Sequence, residues 1–148
     1  MRQTAKTHKI LITFIFLVAA FLIYKNMTNT QVVNGNIEII PIEHATMVLK
    51  WGGKIIYTDP VGGAEAFTGQ PEPDLILITD IHGDHLDIKT LEAVSKAKTV
   101  IITPMAMADK IPSTVAGDLL VMENGQRTNA KTAKKVNLNG FSIEAIPM

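Results

Sequence analysis

Four potential metal ligands lie within six consecutive residues near the middle of the chain. The segment Thr79-Asp80-Ile81-His82-Gly83-Asp84-His85 carries two aspartates and two of the four histidines of the 148-residue sequence. Imidazole nitrogen and carboxylate oxygen are ligands that suit zinc, manganese or iron. The pattern predicts a divalent-metal site formed by Asp80, His82, Asp84 and His85, and with it the chemistry of a metal-dependent hydrolase.

The spacing of these side chains indicates how they could share metal ions. Asp80 and His82 are two residues apart, so they point the same way if the backbone is extended. Asp84 and His85 are adjacent and diverge, which suits a second ion, and Gly83 permits a tight backbone between the two pairs. Two ions about 3.5–4 Å apart can hold a bridging hydroxide and stabilise both the attacking and the leaving oxygen.

Two alternatives to a transition-metal site follow from the same residues. Asp84 or Asp87 could simply cap the helix that follows. A calcium loop is less favoured, because histidine is a poor calcium ligand.

A buried strand and a helix are predicted to position the loop. Residues 75–78 form a short apolar run between turn residues, which favours a strand buried on both faces. Ligands of α/β proteins bind just beyond the carboxyl ends of such strands. Asp87 is a suitable N-cap for a helix that reaches about Ala97, with Ile88, Leu91 and Val94 on one side.

The rest of the body predicts an α/β sheet layered with helices. Gly52-Gly53 and Asn139-Gly140 are hairpin turn signals. Pro104 suits the first turn of a short helix over residues 104–110, and residues 61–74 form a loop. Further strands are predicted over residues 36–43, 46–51, 54–58, 99–102, 119–122, 134–138 and 141–146. Strands and helices in this mixed order are typical of the α/β class.

Residues 1–25 have the composition of an export signal or a membrane anchor. Arg2, Lys6 and Lys9 precede an apolar run over residues 10–24, which is shorter than the roughly 20 residues of a full bilayer span. No clear small-x-small cleavage pattern follows, so an uncleaved anchor is favoured over a cleaved signal peptide, and a buried core helix is the third interpretation. The basic start predicts that the remainder lies outside the cytoplasm, after a linker over residues 26–35.

Composition excludes several other functions. The formal net charge is zero and no basic stripe alternates with aromatic residues, so a nucleic-acid partner is not predicted. The absence of cysteine excludes disulfides, thiolate zinc sites and a cysteine nucleophile.

The sequence resembles a known family in two places. Residues 79–85 resemble the His-x-His-x-Asp-His signature of the metallo-β-lactamase-fold hydrolases. Three shorter motifs resemble the leading hairpin of the L-ascorbate-6-phosphate-lactonase-like branch: His44-Ala45-Thr46, Trp51-Gly52-Gly53-Lys54 and Tyr57-Thr58-Asp59-Pro60. The resemblance implies that residues 36–148 form the first half of an αββα sandwich, truncated at the C-terminus and preceded by the anchor helix.

The resemblance also implies roles for individual residues. His82 would be a ligand of the first metal, and Asp84 and His85 would belong to the second. Asp59 would lie below the metals and orient a ligand histidine. His44 would lie near the substrate groove, in contact with substrate or behind the ligands, and a simple turn role is the equal alternative.

Two departures from the family pattern change these expectations. Asp80 stands where the signature has its leading histidine, and a harder, negative ligand favours manganese or iron over zinc or leaves the first site less occupied. The family's later ligands, two histidines and a bridging aspartate, would lie beyond residue 148. The chain therefore has the character of a fragment.

The predicted function is hydrolysis of an ester, a lactone or a phosphodiester by a metal-bound hydroxide. Asp84 would hold and orient the hydroxide and accept the proton that it gives up as it attacks. One or two divalent ions are expected, with a small-molecule or lipid-like substrate outside the cytoplasm, in a membrane-anchored or secreted protein. The alternative is an inactive fragment that at most binds metal. A phosphoesterase of another fold with an Asp-x-His loop is a third possibility.

Overall fold

The computed structural model describes residues 31–33, 37–128, 138 and 141–146. The described elements are seven strands, one α-helix and two 3-10 helices. The strands are β1 (Gln31–Val33), β2 (Ile37–Glu43), β3 (Thr46–Trp51), β4 (Lys54–Thr58), β5 (Leu75–Leu77), β6 (Val100–Pro104) and β7 (Asp118–Met122). The α-helix α1 is Ile88–Val94, and the 3-10 helices are Ala64–Phe67 and Met105–Lys110.

The strands form one mixed sheet in sequence order. The segment β2–β3–β4 is antiparallel, with Leu49 opposite Ile56. From β4 to β7 the strands are parallel, with Tyr57 beside Ile76 and Ile76 beside Ile101. Parallel neighbours need crossover connections, and each of the three crossovers carries one of the helices. The carboxyl ends of β4 to β7 consequently share one edge of the sheet.

Successive side chains of the central strands point to opposite faces of the sheet, and both faces are apolar. Ile76 and Ile78 belong to a buried cluster that includes Leu91 of α1, whereas Leu75 belongs to a second cluster with Val100. Ile76 and Leu75 are both fully buried. The prediction that this strand is buried on both faces is therefore confirmed, and the strand provides a rigid base for the loop that follows it.

Helix α1 begins where the sequence predicts and ends earlier. The Asp87 carboxylate accepts hydrogen bonds from the Lys89 backbone N–H at 3.0 Å and from the Thr90 hydroxyl at 2.7 Å. The helix stops because Ser95 is extended (φ −69°, ψ 144°) and the Lys96 N–H bonds to the Thr99 hydroxyl instead of continuing the helix.

Most predicted strands are confirmed, and the strand predicted over residues 141–146 is wrong. Residues 141–146 form no strand. Their backbone bonds to residues 125–128, which follow β7, and this contact amounts to a single antiparallel bridge between Glu144 and Arg127. The predicted partner strand and the Asn139-Gly140 turn lie outside the described residues, apart from Leu138. Strand β1 falls within the predicted linker, and the predicted loop over residues 61–74 contains the 3-10 helix Ala64–Phe67.

The anchor predicted over residues 10–24 also lies outside the described residues. Within the part of the chain that the structure describes, no helix has the length and apolar character needed to cross a membrane.

Candidate functional site

The four predicted ligands lie on the loop that leaves the carboxyl end of β5. The Ile78 N–H still bonds to the Ile102 carbonyl at 2.9 Å, so the loop starts from a paired position of the sheet. Further along, the N–H groups of His85 and Leu86 both bond to the carbonyl of His82 at 3.0 Å. This tight turn folds the second half of the loop back towards β4.

Gly83 is not needed for the turn in the way its position suggests. Its φ lies outside the left-handed region, and a Cβ built there would meet nothing within 4 Å. The left-handed residue at the site is Asp59 (φ 43°), directly after β4. A non-glycine residue in that region costs about 1 kcal/mol or more, so surrounding interactions must hold it.

Asp59 is the buried centre of the site. It is 2% exposed, and its Oδ1 accepts the Thr79 backbone N–H at 2.7 Å. Its Oδ2 accepts the Thr79 hydroxyl at 2.6 Å and lies 3.0 Å from Nδ1 of His85. Because an ionised carboxylate can only accept, His85 donates through Nδ1, and its Nε2 is left for other partners.

This contact raises the pKa of the His85 imidazole above its usual 6.5. The hydrogen bond to Asp59 is the largest cause, partial burial opposes it, and the charges of Asp59, Asp84 and Asp80 act in the same direction as the hydrogen bond. On the far side of the ring, Nε2 lies 3.8 Å from Oδ2 of Asp84. His85 therefore stands between two carboxylates, one buried and one exposed.

Asp80 and His82 form a separate pair at the start of the loop. Asp80 Oδ1 accepts the Ile81 N–H at 2.5 Å and lies 2.9 Å from Nδ1 of His82. The Ile81 hydrogen bond is the main cause that holds the pKa of Asp80 below its usual value; partial desolvation opposes it, and the neighbouring His82 acts in the same direction as the hydrogen bond. The His82 side chain is 72% exposed, and its Nε2 has no hydrogen bond among the described residues.

The donor types fit a divalent ion, but the described donors are arranged as two pairs. Two imidazoles and two carboxylates are a suitable ligand set for zinc, manganese or iron. Among the described residues, no three histidine, aspartate or glutamate side chains come close enough to share one ion. The loop therefore presents ligands without enclosing a complete centre, and the assignment of Asp80, His82, Asp84 and His85 as ligands stays a prediction.

His44 lies apart from these pairs. It is an exposed residue with φ 48° in the two-residue turn between β2 and β3. In the described part of the chain it has no hydrogen bond or ion pair with residues 80–85. The turn itself is tied to the end of β4, because the Thr58 hydroxyl donates to the Ala45 carbonyl at 3.1 Å. Its predicted contact with substrate stays a prediction.

Two threonines that sequence reasoning left without a role support Asp59. The Thr79 hydroxyl bonds to the carboxylate and also lies 3.1 Å from Nδ1 of His85. The buried Thr46 hydroxyl donates to the Asp59 carbonyl and accepts the Val61 N–H at 3.3 Å. The role of Thr79 could have been predicted, because Thr79 directly precedes the ligand loop in sequence. Thr46 lies far from that loop in sequence, so its contact with Asp59 could not have been predicted in this way.

A cavity of about 510 Å³ adjoins the Asp80–His82 pair at the carboxyl edge of the sheet. Its wall combines the loop after β5 with residues that follow β6 and β7 and with the segment around Glu144. The donors and the cavity thus occupy the edge where parallel α/β sheets bind ligands.

Comparison with known proteins agrees with this fold. The model of the beta-lactamase superfamily domain matches residues 38–148. A crystal structure from Parabacteroides distasonis ATCC 8503, described as a "Putative metal-dependent hydrolase", is 33% identical, with a TM-score of 0.58. The match covers 75% of this chain and 45% of that one, so this chain spans less than half of the similar structure. No curated protein matches the chain. The family match over three quarters of the sequence shows that this chain belongs to the beta-lactamase superfamily.

Proposed function

We propose that this chain supplies part of a metal-dependent hydrolase site that cleaves an ester, a lactone or a phosphodiester. The observation that carries this function is the hydrogen bond from His85 to the buried Asp59 carboxylate, beside Asp84. Metal-binding histidines almost always donate their second ring N–H to a carboxylate or a carbonyl, which fixes the tautomer and directs the other nitrogen at the metal. His85 has this arrangement.

Each residue then has a defined task. Asp80, His82, Asp84 and His85 would hold one or two divalent ions, with zinc, manganese and iron all compatible with the donors. A bound ion supplies Lewis acidity and brings the pKa of a water molecule towards 7. Asp84, which is half exposed, would orient the attacking water and accept its proton. Asp59 would keep His85 in the Nδ1–H tautomer.

The number of donor side chains in residues 80–85 predicts that another residue also binds the metal. Catalytic zinc sites use three protein ligands and keep one position for water or substrate. The described donors form two pairs, Asp80 with His82 and Asp84 with His85. We therefore expect at least one further ligand from outside residues 80–85.

A non-catalytic role is the second candidate. The described residues bring no three donors together, which favours a chain that at most binds metal weakly. The two candidates differ in whether hydrolysis accompanies metal binding.

The membrane assignment belongs to this proposal as well. Residues 10–24 would anchor the protein, with the site outside the cytoplasm and a small-molecule or lipid-like substrate. Equal activity from a chain lacking the first 30 or so residues would count against a membrane-surface substrate.

Elemental analysis of the purified full chain tests the metal site. We expect near-stoichiometric divalent metal that falls in Asp84→Ala. Asp109→Ala is the matched control, since Asp109 is an exposed aspartate on the second 3-10 helix and does not line the cavity beside Asp80 and His82. Equal metal content in all three proteins would refute the assignment. Hydrolysis of neutral esters and of a phosphodiester by the metal-loaded chain then separates the hydrolase from the non-catalytic candidate.

A further inference from the structure

We propose that the cavity beside Asp80 and His82 binds an uncharged, largely apolar group of the substrate. This inference rests on the proposed hydrolase function and narrows its substrates to those whose non-reacting part is uncharged and largely apolar. The volume of about 510 Å³ lies within the range of roughly 300–1,000 Å³ that is typical of small-molecule sites.

The location of the cavity places its occupant next to the candidate ligands. Three successive parallel strands contribute residues at or beyond their carboxyl ends: Asp80 and His82 after β5, Thr103 at the end of β6, and Asn124 after β7. When part of a substrate occupies the cavity, the adjoining part of the same molecule lies at Asp80 and His82. The cavity is therefore placed to hold the part of the substrate that does not react.

The wall of the cavity is apolar over most of its extent. The larger aliphatic side chains of the lining include Ile78, Ile102, Met107, Met122, Ile143 and Ile146. Burial of hydrocarbon against such a surface is favourable because it removes apolar area from water. Methionine also adapts to ligands of different shape, so the wall suits an acyl or alkyl group.

The charges at the cavity disfavour an anionic group. Among the described residues, its lining contains no lysine or arginine, and its carboxylates are those of Asp80 and Glu144. Glu144 is already paired with Arg127. In the metal-free chain, an anionic group held in this space would meet these carboxylates without a neighbouring cation from the described lining, which favours an uncharged group at this position.

One polar group in the lining lacks a partner. Thr103 is 1% exposed, and its hydroxyl makes no hydrogen bond with any described residue. Buried hydroxyl groups are normally paired, because an unpaired one loses its hydrogen bonds to water without replacement. A carbonyl or ether oxygen in the non-reacting part of a bound ligand can accept this hydroxyl proton.

Calorimetric binding to the full chain after chelator treatment tests the inference without metal or turnover. The probes are 2-octanone, an uncharged carbonyl compound that cannot be hydrolysed, and octyl phosphate. We expect saturable binding of 2-octanone, and binding of octyl phosphate that is at least tenfold weaker. Octyl phosphate binding as tight as that of the ketone would overturn the inference, as would the absence of saturable ketone binding.

Three variants test the position of the ligand. Ala106→Phe adds a ring at an exposed lining residue and should weaken ketone binding at least tenfold, whereas Met105→Phe, at the exposed neighbour outside the lining, should bind as the unmodified chain does. Thr103→Val should weaken ketone binding several-fold without lowering the unfolding temperature. Unchanged ketone binding in Ala106→Phe would overturn the location.

The two proposals fail separately in these experiments. Ketone binding that persists in a chain that takes up no metal would refute only the proposed hydrolase site. Normal metal uptake without ketone binding would refute only the apolar subsite.

Discussion

The Asp59 carboxylate lies 3.0 Å from Nδ1 of His85, although 26 positions separate the two residues in sequence. Asp59 directly follows β4, and His85 lies on the loop after β5, the parallel neighbour of β4. The pairing of β4 with β5 brings the two together, and the Asp59 N–H bonds to the Leu77 carbonyl at 2.9 Å. The sheet itself therefore sets the position of the candidate ligand.

Asp59→Asn should lower the pKa of His85 towards 6.5. The amide is neutral, and it cannot accept from both the Thr79 hydroxyl and His85 while it also accepts the Thr79 N–H, so the main cause of the raised pKa is lost. Metal affinity should fall by about 10–100-fold, as for other residues that orient metal-bound histidines. An NMR pH titration of the imidazole measures the pKa. A titration of His85 identical to that of the unmodified chain would contradict this account.

Stability of the metal-free chain should decrease as pH rises above 6.5. The pKa of His85 is raised in the folded state, so its contribution to the free energy of unfolding is fully present below the unfolded value and is lost as pH passes through the folded one. Urea unfolding between pH 5.5 and 8.5 measures this dependence. The decrease in the free energy of unfolding with pH should be smaller in His85→Gln. An equal decrease in both proteins would show that His85 does not cause it.

Metal affinity should show the opposite pH dependence. An ion can bind to Nε2 of His85 only after the proton leaves that nitrogen, and the raised pKa moves this requirement to higher pH. Titration with Zn²⁺ or Mn²⁺ at several pH values should give affinity that increases up to the raised pKa and then levels off. In Asp59→Asn the levelling should occur at lower pH, and an unshifted curve would count against the link between the two residues.

Thr79→Val should destabilise the chain by about 1 kcal/mol, because the variant loses a hydrogen bond to a charged acceptor but keeps the shape of the side chain. The remaining donors to Asp59 are the Thr79 N–H and His85. Thr79→Ser keeps the hydroxyl and should recover most of the loss. Chemical denaturation of the three proteins provides the measurement, and equal losses in both variants would assign the effect to packing.

Gly83→Ala should be tolerated, with a change in stability within about 0.5 kcal/mol, because its backbone needs no glycine and the added methyl enters open space. Gly117 is the contrasting position. It has φ 109°, and a Cβ there would lie 2.4 Å from the Thr99 carbonyl oxygen. Gly117→Ala should therefore unfold at clearly lower temperature. Differential scanning calorimetry compares the two, and a large loss in Gly83→Ala would show that the loop requires glycine there.

The sequence by itself determined the elements that hold the site. The apolar run at residues 75–78, the Asp87 cap and the Gly52-Gly53 turn each depend on neighbours in the chain, and the structure has the predicted strand, helix start and hairpin. The cluster of Asp80, His82, Asp84 and His85 could be selected because its members are adjacent in sequence. Local chemistry was sufficient for these features.

Only the tertiary structure decided which of these residues interact. The contacts of Asp59 with Thr79 and of Thr46 with the Asp59 backbone depend on strand pairing across 20 and 13 positions of the chain. The segment 141–146 carries a strand pattern, yet it bonds to residues 125–128 without forming a strand. Such pairings depend on the order of the strands in the sheet and on their register. A local sequence pattern depends only on neighbouring residues and therefore does not predict them. For the same physical reason, the cavity with the unpaired Thr103 hydroxyl could be recognised only once β5, β6 and β7 lay side by side.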